Sequence, residues 1–228
     1  ADVDGDFVVV WTEDNWSASS VFGRRFNPAG SAKAGDFRVN TELGVAFGAQ
    51  VALDADGDFV VVWAFSNFGQ DSIRAQRYSN AGTAQGVELM IDFADSWSSV
   101  GEPHVALDAD GDFVVGWTWA AYAPWSGLVS ELVFAQCYDL AGNPRGGKLL
   151  VGGMAGDVWS NSVAADAAGN FIVTWTADDD AQGYGVYAQR VDEAGQAQGD
   201  YWRVETTLPV WDYFSADAAM DADGEYVI

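Results

Sequence analysis

One segment recurs five times along the 228-residue chain. It reads Asp2-Val-Asp-Gly-Asp-Phe-Val-Val-Val-Trp11, returns as Asp54 to Trp63, Asp108 to Trp117 and Asp166 to Trp175, and appears shortened as Asp221 to Ile228. The copies start 52, 54, 58 and 55 residues apart. A recurrence at this spacing marks units that bury their apolar faces only against the next unit, so it decides the architecture before local propensity does.

A second segment follows each complete copy: Val21-Phe-Gly-Arg-Arg-Phe26, Ile73-Arg-Ala-Gln-Arg-Tyr78, Val133-Phe-Ala-Gln-Cys-Tyr138 and Val186-Tyr-Ala-Gln-Arg-Val191, each running into an Ala-Gly turn. Short runs come next (Asp36 to Asn40, Glu88 to Ile91, Lys148 to Val151, Tyr201 to Val204), then a loop into Val51-Ala-Leu53 and its equivalents. Each unit therefore holds four strands. Phe7 to Trp11 is apolar on both faces and rich in β-branched and aromatic residues, as a strand sandwiched between neighbouring sheets requires, and it is too short for a buried helix. The expected fold class is all-β: a β-propeller of four-stranded antiparallel blades. Its units run over about 1–53, 54–107, 108–165 and 166–220, with a partial fifth at 221–228. Five copies of the Trp strand stand against four of every other strand, which predicts a segment of a larger propeller. Further blades would then come from the same polypeptide or from a partner chain.

The motif Asp-x-Asp-Gly-x-Phe-Val-Val-x-Trp followed by Tyr-Ala-Gln-Arg resembles repeats of large secreted or surface-displayed bacterial β-propellers, over essentially the whole chain. The resemblance implies an extracellular or cell-surface setting, adhesin- or lectin-like company and neighbouring calcium-binding modules. It implies no catalytic residue.

Strand direction alternates within a blade, so loops sort onto two faces. Of the eleven tryptophans, Trp11, Trp63, Trp117 and Trp175 are repeat-locked core positions and Trp202 lies on an outer strand. The remaining six, Trp16, Trp97, Trp119, Trp125, Trp159 and Trp211, all fall in loops of one face, together with Phe65, Phe68, Tyr184 and Tyr213. Rings beside Asn67, Gln70, Asp71 and similar groups suit carbohydrate, whose apolar face stacks on an aromatic while its hydroxyls take precise partners. An exposed aromatic face also suits a protein surface. Trp16, Trp97, Trp119, Trp125, Trp159, Trp211, Tyr184 and Tyr213 are the candidate ligand-binding residues.

The opposite face carries the acidic turns. Asp2, Asp4, Asp6, Asp54, Asp56, Asp58, Asp108, Asp110 and Asp112 resemble the first half of an EF-hand loop and are candidate calcium ligands, with calcium the candidate cofactor. A Glu stands at the twelfth position only in the first copy, as Glu13, where Phe65, Trp119 and Ala177 follow in the others, and Asp166-Ala-Ala-Gly-Asn170 loses two of the three carboxylates. Plain turn chemistry, with Gly at positive φ and Asp capping the turn's own amides, accounts for the pattern without a metal. Arg25, Arg77 and Arg190 recur on the third strand and are expected to pair with repeat carboxylates, Cys137 being a small apolar replacement.

Composition enters as exclusion. With 34 Asp and Glu against 10 Lys and Arg, a formal charge of −24 repels a phosphate backbone or an anionic membrane surface, so neither nucleic acid nor membrane insertion is expected. One Cys and one His exclude a disulfide framework and multi-histidine metal sites. The functional expectation is a non-catalytic extracellular binding or adhesion module for glycan. The alternatives are a calcium-stabilised structural domain and part of a propeller glycosidase or lyase, for which a pair of carboxylates would suffice.

Overall fold

The computed structural model describes residues 1–14, 18–123, 127–153, 158–179, 183–204 and 215–228. The first sheet holds β1 (Phe7–Asp14), β2 (Ser19–Phe26) and β3 (Phe37–Arg38). The second holds β4 (Val45–Leu53), β5 (Phe59–Asn67), β6 (Gln70–Tyr78) and β7 (Ala84–Phe93), and the third β8 (Ser98–Leu107), β9 (Phe113–Ala123), β10 (Gly127–Tyr138) and β11 (Pro144–Gly152). The fourth holds β12 (Val158–Ala165), β13 (Phe171–Asp179), β14 (Gly183–Val191) and β15 (Trp202–Arg203), and β16 (Ala219–Met220) pairs with β17 (Tyr226–Val227). All pairings are antiparallel between sequence neighbours. Each sheet is offset from the sequence unit, because β4, β8, β12 and β16 pair with the Trp strand that follows them.

The core lies between sheets. Trp63 packs with Val21 and Val39 of the first sheet, Trp117 with Val62 and Ile73 of the second, and Trp175 with Val114 and Val133 of the third. These three indoles are essentially fully buried, and each unit is sealed by the one before it, as the period demands. Trp11, whose Nε1 donates to Glu13, is only partly buried.

Hydrogen bonding explains the motif letter by letter. The first Asp of every copy turns one carboxylate oxygen onto two amides of its own hairpin: Asp54 Oδ1 accepts from Asp56 N and Asp58 N at 3.0 and 2.9 Å, and Asp108 Oδ1 from Asp110 N and Asp112 N at 2.9 and 3.0 Å. Asp166 repeats this with Ala168 and Asn170. The glycines of these turns sit at φ near +83°, and the other oxygen of the preceding unit's Asp lies against them. A Cβ on Gly169 would come within 2.9 Å of Asp108 Oδ2, so glycine serves both the turn and the joint. The repeated Gln is a staple: Gln136 Nε2 donates to the carbonyls of Cys137 and Arg145, tying β10 to the start of β11, and Gln76 reaches Gln85 in β7 and Gln189 reaches Gly199 before β15 in the same way.

The arginines differ from expectation. Arg25 and Arg77 donate through Nη1 to the backbone carbonyls of Ala81 and Leu140, each in the next sheet, and not to a repeat carboxylate. A carbonyl presented by a turn has a fixed direction, so this bond locks the angle between successive sheets. Arg190 lies over the Tyr226 ring at 5.5 Å. Where Cys137 replaces the arginine, Arg145 pairs with Asp112 at 2.6 Å, and the buried thiol is pushed up to about 12, chiefly by desolvation.

Candidate functional site

The turns of all five copies converge on an axial cavity of about 400 Å³, with Asp2, Asp54, Asp108, Asp166 and Asp221 around it. The innermost strands β4, β8 and β12, and then β16, therefore stand side by side about one axis. Gln50 and His104 lie opposite Val62 and Gly116, and Ser162 opposite Thr174, so the three share one register level. Asp217, three residues before Met220 as Ser162 is three before Ala165, occupies the same level. The result is a polar layer inside an apolar repeat.

That layer is unequal around the axis. Between the second and third sheets the residues packed beside it are apolar, including Val60, Val62 and Val100. Around the fourth sheet they are polar. Ser162 Oγ donates to Asp217 Oδ1 at 2.6 Å, and Asn161 Nδ2 donates to the Glu102 carbonyl at 2.7 Å. Gly116, where the second unit has Val62, leaves space for Asn161, whose Oδ1 would lie 3.0 Å from any Cβ there. Asn161 Oδ1 and Thr174 Oγ1 are buried and find no partner among the described residues. Burial lowers the His104 pKa while Asp217 opposes that shift, so the imidazole is neutral at pH 7.

Above this layer β8 is creased. The ladder shifts register between Gly101 and His104, and Glu102 takes a φ of 48°, which costs a non-glycine residue of order 1 kcal/mol or more. The crease separates Glu102 from the strand line, and Pro103 packs against Gly48 of β4. Desolvation first, and then the neighbouring Glu131, raises the Glu102 carboxyl above the ordinary glutamate value. Its tip stays open to water, which screens both effects. Glu131, on β10, is fixed by Val158 N, which donates to its Oε2 at 2.6 Å. Glu102 and Glu131 are thus neighbouring carboxyl groups, one raised and one held by a backbone amide.

Among solved structures the chain is similar to a polysaccharide lyase (TM-score 0.56, 11% identity, 91% of this chain and 48% of that one). It is also similar to the α-L-arabinanase of Penicillium chrysogenum complexed with arabinobiose (0.57, 10%, 99% and 71%). A third is an α-L-arabinofuranosidase from Fusarium graminearum in complex with an iminosugar inhibitor (0.56, 8%, 98% and 66%). The fold is a β-propeller. No family model matches the sequence, and the search of curated proteins gave no match. The chain spans about half the length of the lyase, and identities near 10% carry the fold alone. The expectation of a chain without catalysis is corrected by these neighbours, each of which is an enzyme.

The aromatic candidates separate. Trp97 is 58% exposed, in a turn whose Asp95 Oδ1 accepts from its amide at 3.0 Å, and its carbonyl accepts from Tyr122 N, so Trp97 stands beside the exposed Tyr122 at the end of β9. Trp119 is partly buried against the Trp117 cluster. Trp16, Trp125, Trp211 and Tyr213 lie outside the described residues, as do the side chains of Trp159 and Tyr184. On the other face, Asp2, Asp54 and Asp108 cap their own turns. Asp6 pairs with Lys33, Asp58 accepts from Asn80 N, and Asp112 accepts from Leu140 N. Asp4, Asp56 and Asp110 supply turn amides. Among the described residues no three His, Cys, Asp or Glu side chains gather as a metal site, and no helix is long and apolar enough to cross a membrane.

Sequence reasoning missed Glu102, Glu131 and Asp217 and set His104 aside as solitary. The signal was present as a departure from the repeat: Gln50, His104, Ser162 and Asp217 share one level yet are four different polar residues.

Proposed function

We propose that the chain forms part of a secreted or cell-surface propeller enzyme that cleaves polysaccharide, with Glu102 and Glu131 as its reaction centre. The observation that carries this reading is the Glu102–Glu131 pair: a carboxyl raised by burial and by its neighbour gives up its proton less readily than an ordinary glutamate, which suits a group that protonates a leaving glycosidic oxygen. Glu131, oriented by Val158 N, serves as the second carboxylate, acting on water or on the sugar carbon. His104, Ser162 and Asp217 below them supply hydrogen-bonding groups for sugar hydroxyls. The glycosidase and lyase neighbours support the substrate class.

The test is release of reducing ends from a panel of neutral and acidic polysaccharides by the wild type, Glu102→Gln and Glu131→Gln. Losing a general acid costs about 10²–10⁴ in rate, so turnover by Glu102→Gln within tenfold of wild type sinks the assignment. Products with a new carbon–carbon double bond, absorbing in the ultraviolet, would show elimination and refute hydrolysis by this pair.

A further inference from the structure

A recess lies away from the axis, on the aromatic face of the second blade. It is a groove of about 620 Å³ between the β5–β6 hairpin and the end of β7, within the ~300–1,000 Å³ range of small-ligand clefts. Phe68, Phe93 and Met90 line it and are exposed, Phe68 completely so. Asn67 and Gln70 close the hairpin as a β pair, leaving Phe68 and Gly69 as the two turn residues, with φ of 51° and 78°. Two positive φ values in a two-residue hairpin define a type I′ turn, whose first position favours Asn, Asp or Gly. Phenylalanine there is strained, and at 101% exposure it gains no packing in return. The fold alone gives no reason for this residue, whereas contact with a ligand does.

The polar wall is prepared. Arg74 is fixed by Ser72 Oγ at 3.1 Å, Glu88 Oε1 at 2.9 Å and Glu42 Oε2 at 3.2 Å, and its guanidinium lies 5.0 Å from the centroid of the Phe65 ring. The side chains of Asn67, Gln70 and Asp71 line the same groove and make no hydrogen bonds with the described residues. Aromatic faces beside free amide and carboxylate groups match the two surfaces of a sugar ring. Charge selects further: Arg74 is neutralised twice over by Glu42 and Glu88, Asp71 adds a negative charge, and the whole chain carries −24, so an anionic polymer is repelled.

We infer that this groove is a binding site for neutral polysaccharide, separate from Glu102 and Glu131, holding a stretch of polymer with Phe68 and Phe93 stacked on its rings. The site serves as an anchor: it touches no group of the proposed reaction centre and raises the time the enzyme spends on polymer.

The test is affinity electrophoresis through gels containing arabinan, xylan, galactan or mixed-linkage β-glucan, with pectate and alginate as anionic counterparts. It compares the wild type, Phe68→Asn, Phe93→Ser and a control, Leu140→Ser, on the opposite face. At least one neutral polymer is expected to retard the wild type and Leu140→Ser equally. Losing one stacked ring should weaken that retardation about two- to tenfold in Kd. Phe68→Asn suits the turn better, so its melting temperature should stay level or rise, separating lost binding from lost folding. Repeating the series in a Glu102→Gln background separates this site from the proposed chemistry: if Glu102→Gln still turns over, the catalytic assignment fails while retardation still reports on the groove. Equal retardation of wild type, Phe68→Asn and Phe93→Ser overturns the inference, as does retardation by anionic polymers only, or by none.

Discussion

Replacing Asp108 separates turn chemistry from metal binding. Its side chain is 93% removed from solvent, with Oδ1 accepting two amide hydrogen bonds at 2.9 and 3.0 Å. Asp108→Ala leaves both amides without that acceptor, at a net cost of about 0.5–1.5 kcal/mol each. Burial and the neighbouring Asp112 disfavour the carboxylate's charge, and relief of that strain returns part of the loss. The expected destabilisation is therefore about 1–2 kcal/mol, or roughly 2–8 °C for a chain of this length. Asp108→Asn keeps the acceptor and removes the charge, so at pH 7 it should melt at or above the wild-type temperature. A carboxyl raised in the folded state favours folding when protonated, so any advantage of Asn should fade as the pH falls to the ordinary aspartate value of 3.8. The fourth copy already tolerates such losses: Asp166 caps its turn where Ala168 and Asn170 replace two carboxylates. Scanning calorimetry of the three proteins, with and without chelator, decides the matter. If Asp108→Asn falls as far as Asp108→Ala and chelator lowers the wild type equally, the carboxylate charges hold a cation and the turn argument is wrong.

Three further outcomes follow from the same geometry. A Cβ on Gly152 would lie 2.2 Å from Cζ2 of the fully buried Trp175, so Gly152→Ala should cost about 1–3 kcal/mol by overpacking, measured by urea denaturation. His104 has a pKa lowered by burial, so protonation favours the unfolded chain and stability should decline as the pH falls below 6.5; His104→Gln, the residue found at the equivalent Gln50, should flatten that decline. Turnover that needs protonated Glu102 should decrease as the pH rises through its raised pKa, above the ordinary 4.5, and a rate that instead climbs across that range assigns the proton to another group.

The architecture was legible because it is written in repetition. Phe59 to Trp63, Phe113 to Trp117 and Phe171 to Trp175 are buried between two sheets, which is the reason the recurring strand is apolar on both sides. The Asp-Gly turns were equally legible, since backbone capping needs only the local sequence. The arginine contacts were not: Arg25 and Arg77 reach carbonyls 56 and 63 residues away, and no side-chain pattern marks a carbonyl as a partner. Counting tryptophans also overweighted residues such as Trp119, which the core partly absorbs.

The candidate reaction centre was hidden for a related reason. Repeats make the eye search for what recurs, whereas a single asymmetric site has to be built from what does not. At the level of Gln50, His104, Ser162 and Asp217 the fold asks only that the side chain tolerate an axis with room for water. Identity there is free to vary, and polarity costs little because neighbours such as Ser162 and Asp217 satisfy one another. The cost appears instead one step away, in the unpartnered Asn161 Oδ1 and Thr174 Oγ1 and in the positive φ of Glu102. An apolar seam like that lined by Val60 and Val62 would have been the more stable choice at the same positions. The crease itself belongs to the fold, since β4 shifts register between Phe47 and Gln50 with Gly48 at a φ of 61°, but a glutamate in place of that glycine and two unpaired polar atoms on the fourth sheet are not what stability asks, and a requirement of chemistry at one place would account for them.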